Sequence, residues 1–528
     1  GKITVHTATS WPFQVRRAVQ GALGIPEEQV EVCPARIGLH QDGTLWYPAL
    51  LACQAALGAY FCKRPVKLLL SRLEDFKYSP KRNASEIRIR SALGKDGGLL
   101  AGELRVQVDL GAYGVFAREI LDQSCMGALG AYRQDRIRLE GTALCSPKPP
   151  AGPFGGLGMA QGFFAMERQA SIIADGLGID PLEWRKNNGG ISRKKPLAIG
   201  CVPTDTPPLG EILEKAAGMA DYHRKWASFQ LLRELRRQEA APGELRRGIG
   251  IASAYQGAGF LYHGAGRGNY CVELTLDKEG ALEIRTSIVA AGGEYLDIWK
   301  RIAGEILGVE TVRVLGGSTA GTPDSGPACL SRNIAVITRL VERACTAIRK
   351  QRFRDPLPIR VVRFSRPAKI PGWGGEEIDQ NVLSRLSCGA AIVELELNPR
   401  DCLPRVRGIW LAVEGGRILA EAAARRTLKL QAVQALGWAA EEELDYVEGI
   451  IPDGPAETYA PLPPAGIPTI NIEFLPSEAA PKGIGELPLS CIPAAYVQAV
   501  SQALDYPFRE IPLSPGRIWA AIQGGAPS

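Results

Sequence analysis

The sequence predicts an α+β fold of two related lobes, each made of mixed sheets, hairpins and helices. Three pairs of strand-like runs flank short polar turns, which is the pattern of β-hairpins. Apolar runs with helical spacing lie between these pairs. The same succession of hairpins, helices and glycine-rich loops occurs in both halves of the chain without a short repeat period. Two lobes therefore fit the sequence better than a solenoid.

We expect the first lobe over residues 1–192. A helix over Pro12–Leu23 begins with a proline and is followed by a glycine, which are typical start and stop signals. The alternating runs on either side of the Gly94–Gly98 turn predict a hairpin. The elements expected in chain order are a strand from Lys2, the helix Pro12–Leu23, a strand Val30–Val32, a helix Pro48–Phe61, a strand Val66–Leu70, the hairpin between Glu86 and Tyr113, a helix Ala160–Leu177 and a helix from Pro181.

Residues 193–247 are interpreted as a helical connector, and residues 248–528 as the second lobe. Arginines at the end of the connector alternate with glutamates, which favours a solvated helix face over a nucleic-acid patch. The second lobe is expected to contain a strand from Gly248, a hairpin of Cys271–Leu276 with Leu282–Val289, helices near Leu296–Leu307 and Ser331–Lys350, a hairpin of Ala390–Leu397 with Val406–Val413, and helices near Leu428–Trp438 and Cys491–Leu504.

The composition is that of an ordinary globular chain. The 528 residues are 45% hydrophobic and 22% charged, and the net charge of +6 is small, which excludes global disorder and the basic signature of a nucleic-acid binder. The 12 cysteines include no CxxC pair, so we expect neither a zinc ribbon nor an iron-sulfur cluster within this chain. No apolar run reaches the roughly 18 residues of a membrane span. Reduced cysteines indicate a cytoplasmic protein.

Glycine-rich loops between strands and helices are the main functional signal. The GxSxG, HExxH and Walker A signatures are absent from the sequence. Glycine allows the backbone to approach a ligand closely, and free N–H groups at helix starts attract anions. Four such loops follow one another: Gly152–Gly158, Ala290–Glu294, Gly321–Pro327 and Pro481–Glu486. Each alone has the sequence of an ordinary turn, but together they suit a large polyanionic cofactor.

The order of these loops resembles the molybdenum-binding subunit of the xanthine dehydrogenase/aldehyde oxidase family of molybdenum hydroxylases. The segments that carry the resemblance extend over nearly the whole chain; they are Arg64–Leu68, Gly111–Gly114, Phe154–Gly158, Gly178–Asn188, Thr322–Arg332 and Lys482–Glu486. The resemblance implies that both lobes bind a molybdopterin cofactor, without a protein ligand to the metal.

The resemblance also assigns individual residues. It implies that Glu486 is the catalytic base. It implies cofactor binding by Phe154, Gly155, Gly156, Gly292, Gly293, Ser331, Arg332, Lys482, Gly483 and Gly485. The simpler alternative for Glu486 is that it only caps the helix that follows.

Four positions depart from the family pattern. The family's GGGFGGK-like loop reads Arg36–Gly43 here, a glutamine near the first strand is Ser10, the arginine of a GAFRGFG-like loop is Gly155, and the glutamine of an IGQG-like loop is Gly293. Loss of an Arg and a Gln removes side-chain donors from the places where the family holds substrate and metal oxygens. The absence of a cysteine near Gly155 argues against the carbon monoxide dehydrogenase branch.

The resemblance implies an oxidoreductase that hydroxylates a small molecule, either a purine-like aromatic heterocycle or an aldehyde, with oxygen from water. Its cofactor would be molybdopterin with molybdenum, a cytosine dinucleotide being one form, and electrons would pass to a [2Fe-2S] subunit and an FAD subunit. Because the chain begins at Gly1 inside a strand-like run, we expect an N-terminal portion upstream or on another chain. No nucleic acid or membrane is expected as a partner. The alternative, favoured by the altered loops, is a non-catalytic structural or assembly homologue.

Overall fold

The computed structural model describes residues 2–37, 43–132, 134–190, 203–204, 208–238, 245–264, 267, 269–289, 294–454, 459 and 461–523. Its strands, in chain order, are β1 (Ile3–Thr7), β2 (Val30–Pro34), β3 (Ser85–Leu93), β4 (Leu99–Asp109), β5 (Arg136–Leu144), β6 (Arg246–Gln256), β7 (Cys271–Leu276), β8 (Leu282–Thr286), β9 (Val312–Gly316), β10 (Ile359–Phe364), β11 (Lys369–Pro371), β12 (Glu377–Asp379), β13 (Ser387–Asn398), β14 (Leu403–Glu414) and β15 (Thr469–Phe474).

The helices are α1 (Pro12–Leu23), α2 (Tyr47–Cys62), α3 (Arg72–Tyr78), α4 (Ala117–Leu129), α5 (Met159–Leu177), α6 (Pro181–Asn188), α7 (Leu209–Ala220), α8 (Tyr222–Gln238), α9 (Glu294–Leu307), α10 (Thr338–Gln351), α11 (Asn381–Ser384), α12 (Glu421–Ala440), α13 (Leu487–Leu504) and α14 (Pro515–Gln523). A π-helical turn, Asn333–Ile337, precedes α10.

One compact unit is formed by residues 1–81, 258–383 and 480–483. In it, β1 and β2 pair in parallel, a four-stranded sheet has the order β10-β7-β8-β9, and β11 pairs with β12. Helices α1 and α2 pack on the β1–β2 pair, and the valines at positions 5, 15, 19, 30 and 32 form the centre of their common core. The regular spacing of these valines in the two strands and in α1 explains why this part of the fold is predictable from the sequence.

The second compact unit is formed by residues 82–257, 384–479 and 484–528. Its two sheets have the orders β3-β4-β5 and β15-β14-β13-β6. The apolar helix α13 lies against β6 and β13 and also contacts α5 and α12. Two glycines of β6 make this approach possible, because a Cβ on Gly248 would lie 1.9 Å from the carbonyl oxygen of Ala499 and one on Gly250 would lie 2.1 Å from that of Ala495. The burial of α13 fixes the position of the residue before it, Glu486.

Helices α4 and α5 of the same unit also cross at glycines. A Cβ on Gly127 would lie 2.2 Å from the carbonyl oxygen of Met159, and one on Gly162 would lie 2.2 Å from that of Ser124. Only glycine permits backbones to come this close. The crossing holds the start of α5, and with it the glycine-rich loop that leads into α5.

The expected fold class is confirmed, because the structure combines helices with sheets that contain both parallel and antiparallel pairs. All three expected hairpins are present as the antiparallel pairs β3–β4, β7–β8 and β13–β14. The helix expected over Pro12–Leu23 has those bounds, and Gly24 ends it with φ of 63°. The helix α4 was not expected from the sequence.

The expected strand over Val66–Leu70 is wrong. Among the described residues no strand pairs with this segment, and the side chains of Leu68 and Leu69 are 43% and 78% exposed. An apolar run becomes a strand only where a neighbour supplies hydrogen bonds and covers one of its faces. That neighbour is a property of the tertiary structure and not of the run itself.

The expected lobe boundaries, 1–192, 193–247 and 248–528, stay a prediction. Each compact unit of the structure combines segments that are distant in sequence. The segment interpreted as a helical connector contains α7 and α8, and α7 packs against β13 and β14. Within the described ranges, no helix has the length and hydropathy needed to cross a bilayer.

Candidate functional site

Glu486 stands immediately before α13, at its N-cap position. Its φ of −105° and ψ of −1° end the preceding loop, and Pro488 lies in the first turn of the helix, where a proline is well tolerated. The Glu486 side chain makes no capping hydrogen bond to α13. Instead its Oε2 accepts a hydrogen bond of 3.0 Å from the backbone N–H of Gly156. The alternative that Glu486 only caps its own helix therefore does not describe this side chain.

The loop that holds Glu486 is the glycine-rich segment before α5. Gly156 has φ of +78°, and a Cβ there would lie 2.9 Å from the Cβ of Ala160. Gly158 has φ of +96°, and a Cβ there would lie 2.4 Å from the carbonyl oxygen of Ile120. Both positions need glycine for conformation and for space. The glycines are therefore what turns the Gly156 N–H toward Glu486.

Gln256 fixes the backbone of Glu486. The backbone N–H of Glu486 donates to Gln256 Oε1 at 2.9 Å, and Gln256 is only 6% exposed at the end of β6. Glu486 is thus held at two points, through its main chain by β6 and through its carboxylate by the glycine-rich loop. The sequence contains no signal for Gln256 beyond its place at the end of a strand.

Arg82 holds the other side of the glycine-rich loop. Its Nη1 donates to the carbonyl oxygen of Gly155 at 2.7 Å. Its guanidinium carbon lies 4.5 Å from the ring centroid of Trp438 and 5.7 Å from that of Phe154, which are cation–π distances. Arg82 was not identified from the sequence, where its only signal is the basic pair Lys81-Arg82 before β3.

A half-buried carboxyl group lies near Arg82. Burial raises the pKa of Glu442 above its ordinary value, while a hydrogen bond from the Tyr459 hydroxyl at 2.9 Å and the charge of Arg82 act in the opposite direction. Arg82 therefore lies near two aromatic rings, a loop carbonyl and a half-buried acid. All of these groups belong to the second compact unit.

Ser331 and Arg332 lie in the first compact unit, at the end of the Thr322–Arg332 segment. Ser331 has φ of +54°, an uncommon value for a residue with a side chain. Arg332 is fully buried, and its guanidinium donates to the carbonyl oxygens of Pro327, of Asn269 at 2.5 Å and of Ser325 at 3.4 Å. Arg332 therefore organises its own loop.

The remaining expected site residues are distributed over both units. Lys482, which is 4% exposed, and Gly483 belong to the first unit, whereas Gly485 belongs to the second with Phe154, Gly155, Gly156 and Glu486. Gly292 and Gly293 lie outside the described residues, as does His40 of the Arg36–Gly43 loop. The structure thus brings together the glycine-rich loop and Glu486 within one unit.

The donor set of these loops suits a polar, anionic cofactor. Arg332 Nε and Asn333 Oδ1 are buried, and neither has a hydrogen-bond partner among the described residues. Buried polar atoms nearly always have partners in folded proteins, so an unpaired guanidinium N–H is a donor that a bound acceptor group would satisfy. The glycines of these loops have no side chain of their own to keep a ligand away from the backbone. The residues present fit a molybdopterin-type group.

Family models match two parts of the chain. A molybdopterin cofactor-binding domain matches residues 1–189, and a second molybdopterin cofactor-binding domain matches residues 224–355. The chain is 26% identical to a probable xanthine dehydrogenase subunit of Bacillus subtilis, over 99% of this chain and 73% of that protein. It is 31% identical to the nicotinate dehydrogenase large molybdopterin subunit of Eubacterium barkeri, over 41% of this chain and 50% of that protein.

Solved structures show the same fold. The aldehyde oxidoreductase of Desulfovibrio gigas superimposes with a TM-score of 0.82 at 21% identity. The superposition covers 99% of this chain, which spans 58% of the length of the aldehyde oxidoreductase. The likeness therefore extends over nearly the whole of this chain and over part of the larger enzyme.

Proposed function

Because this chain belongs to the family of molybdopterin-binding subunits of the molybdenum hydroxylases, a family of oxidoreductases, we propose that it hydroxylates an aromatic heterocycle or an aldehyde with Glu486 as the catalytic base. The observation that carries the proposal is the hydrogen bond of 3.0 Å between Glu486 Oε2 and the Gly156 N–H. A side chain used only for capping would bond to its own helix, and this one does not.

The surroundings of Glu486 suit a proton acceptor. Glu486 lies at the N-terminal end of α13, where the helix dipole is positive, and the Gly156 N–H donates to Oε2. Both features attract a carboxylate oxygen to this position. With Oε2 anchored and the backbone fixed by Gln256, the carboxylate has a defined orientation, which general base catalysis requires. In the proposed reaction Glu486 removes a proton from the oxygen that attacks the substrate carbon.

The cofactor, when bound, supplies the metal that accepts electrons from the substrate. The chain would hold it through the Phe154, Gly155 and Gly156 loop, through Gly485, and in the first unit through Ser331, Arg332, Lys482 and Gly483. Cofactor binding by Gly292 and Gly293 is proposed from the resemblance to the family alone. The proposal includes a cytosine dinucleotide as one form of the pterin. Chemical analysis of the extracted cofactor would test this form.

The substrate class rests on the relatives. Their names include a xanthine dehydrogenase and a nicotinate dehydrogenase, both named for aromatic heterocycles, and an aldehyde oxidoreductase. Electron transfer to [2Fe-2S] and FAD modules completes the proposed enzyme. A cytoplasmic setting is supported by the cysteines, because the 11 described ones are all free thiols.

Elemental analysis and one substitution test the proposal. Purified protein from a host that makes the cofactor should contain molybdenum together with the phosphorus of the pterin. Glu486→Gln should retain both elements and lower kcat by on the order of a hundredfold, the scale of a lost general base. Glu510→Gln, at a side chain that is 68% exposed, is the matched control and should turn over normally.

A non-catalytic structural or assembly role is the second candidate. The glycine at position 155, where the family has an arginine, favours it because a charged donor is lost from the loop. Protein without molybdenum and phosphorus would support this role and reject the enzyme. Normal turnover of Glu486→Gln would reject the role of Glu486 as the catalytic base.

A further inference from the structure

One peptide group lies between Arg82 and Glu486. The carbonyl oxygen of Gly155 accepts the hydrogen bond from Arg82 Nη1 at 2.7 Å, and the N–H of Gly156 donates to Glu486 Oε2 at 3.0 Å. These two groups belong to the same peptide unit, the one that joins Gly155 to Gly156. In a trans peptide the C=O and the N–H point in opposite directions. The cation and the carboxylate therefore lie at opposite ends of a single amide group.

The charges match the dipole of that amide. The peptide dipole, about 3.5 D, has its negative end at the oxygen and its positive end at the N–H. A guanidinium at the oxygen draws electron density from the amide, which makes the N–H a stronger donor. Successive hydrogen bonds strengthen one another in this way by roughly 10–30% per bond. A cation at the Gly155 oxygen thus strengthens the bond that holds Glu486.

Arg82 is itself held in place. Its guanidinium stacks 4.5 Å from the ring centroid of Trp438 on α12, and Glu442, two residues after the end of α12, adds a carboxyl group nearby. A planar cation that is stacked on a ring keeps its hydrogen-bonding fork in one orientation. Gly156 adopts φ of +78°, which is accessible to glycine without strain and which places its N–H toward Glu486. The Arg82 guanidinium, the Gly155–Gly156 amide and the Glu486 carboxylate are thus joined in that order by two hydrogen bonds.

We propose that Arg82 is a positioning residue that orients and strengthens the anchor of Glu486 through the Gly155–Gly156 peptide. The proposal rests on the proposed role of Glu486 as base, but the coupling itself is a property of the folded chain. The contact of Arg82 occurs at a place where the sequence departs from the family pattern. Where the family's loop carries an arginine side chain, this chain has Gly155, and a guanidinium from outside the loop contacts the Gly155 carbonyl.

Hydrogen exchange at the Gly156 amide tests the coupling without any turnover. We expect Arg82→Met to speed exchange of that amide about threefold, as a weakened hydrogen bond requires. Arg82→Lys, which keeps the charge, should restore part of the protection. In a Glu486→Gln background the effect of Arg82→Met should shrink, because the charged acceptor is gone. Fragmentation mass spectrometry that resolves the amide provides the measurement.

Steady-state kinetics test the consequence. Arg82→Met should lower kcat about tenfold with KM changed less than about twofold, because the base and not substrate binding is disturbed. Arg352→Met is the matched control, since Arg352 Nη1 also donates to a backbone carbonyl, that of Leu307 at the end of α9, at 2.7 Å and in the other unit. The control should leave both kcat and the Gly156 exchange rate unchanged.

The outcomes separate the two proposals. Exchange of Gly156 at the wild-type rate in Arg82→Met would overturn the role of Arg82. Faster exchange that is independent of the residue at position 486 would also overturn it, because the effect would then be general loosening. Faster exchange in Arg82→Met that depends on Glu486 would support the coupling between Arg82 and the Glu486 anchor. If Glu486→Gln then turned over normally, the coupling would stand and the role of Glu486 as catalytic base would be rejected.

Discussion

At the scale of single residues, the candidate site depends on backbone groups that glycine exposes. Gly156 adopts φ of +78° and offers its N–H to Glu486. The motif in the sequence identified both residues as site candidates. It did not indicate that they contact each other, because 330 positions separate them. Arg82 and Gln256 hydrogen-bond to the Gly155 carbonyl and to the Glu486 N–H. Neither belongs to a sequence motif, so only the structure identifies them as part of the site.

Gly156→Ala tests the backbone requirement. An alanine at this φ costs about 1–2 kcal/mol and its Cβ would lie 2.9 Å from that of Ala160, so we expect the loop to shift and the N–H to leave Glu486. Turnover should fall at least about tenfold, the cost of a displaced base, while the protein stays folded by circular dichroism.

Gly176→Ala is the control for that change. Gly176 lies within α5, and a Cβ there meets nothing within 4 Å, so alanine should stabilise the helix and leave turnover unchanged. Equal turnover of Gly156→Ala and wild type would show that the anchor at Gly156 is dispensable.

At the scale of elements, α13 and β6 form the support of the site. β6 is an edge strand in the order β15-β14-β13-β6, and the side chains of α13 satisfy part of its free edge. The N–H groups of Ile249 and Ile251 donate to Gln502 Oε1 at 2.9 Å and to Gln498 Oε1 at 2.8 Å. The helix thus covers the edge by packing and by hydrogen bonding.

Gln498→Leu tests this support. The change leaves the Ile251 N–H buried without its acceptor, which costs about 1–3 kcal/mol. We expect a lower urea midpoint with an unchanged slope. Gln107→Leu, on the exposed face of β4, is the control and should shift the midpoint little. A midpoint equal to that of wild type would mean that the edge finds another acceptor.

Elements whose pattern is local were predictable, and those that depend on a neighbour were not. α1 and the three hairpins carry their own caps, turns and alternation, so the sequence located them. The run Val66–Leu70 was interpreted as a strand, but the described residues provide it with no pairing partner. Strand formation needs that partner, whereas a helix satisfies its own backbone.

At the scale of the whole molecule, a buried ion pair connects three elements of the second unit. Arg185 of α6 and Glu167 of α5 are both fully buried, and Arg185 Nε donates to Glu167 Oε2 at 2.8 Å. Glu167 also accepts from the Tyr132 hydroxyl, and from the backbone N–H of Ser253 in β6 at 3.1 Å. Each oxygen of the carboxylate is therefore satisfied, as a buried charge requires.

Arg185→Met tests how much this network contributes to the stability of the folded protein. Removing the cation leaves Glu167 as a buried charge without its counterion, which costs about 3–5 kcal/mol. We expect a large fall in the thermal midpoint and in the yield of folded protein. The double variant Glu167→Gln/Arg185→Met should be less destabilised than the single one, because the uncompensated charge is removed.

The control for this prediction is a surface ion pair. Arg88 and Glu86 lie 2.6 Å apart with side chains 75% and 61% exposed, and such pairs contribute about 0–1 kcal/mol. Arg88→Met should therefore change the thermal midpoint little. A similar midpoint for Arg185→Met and Arg88→Met would contradict the importance assigned to the buried network.

The sequence by itself determined the fold class, the family and the identity of most candidate residues, because periodicity, turn chemistry and loop motifs are local properties of the chain. The tertiary structure decided which of these residues meet. It joined Gly156 to Glu486 and added Arg82 and Gln256. It also divided the chain into compact units whose segments alternate along the sequence. The physical reason is that these contacts form between segments far apart in the chain, whose approach is fixed by packing such as that of α13 on the glycines of β6.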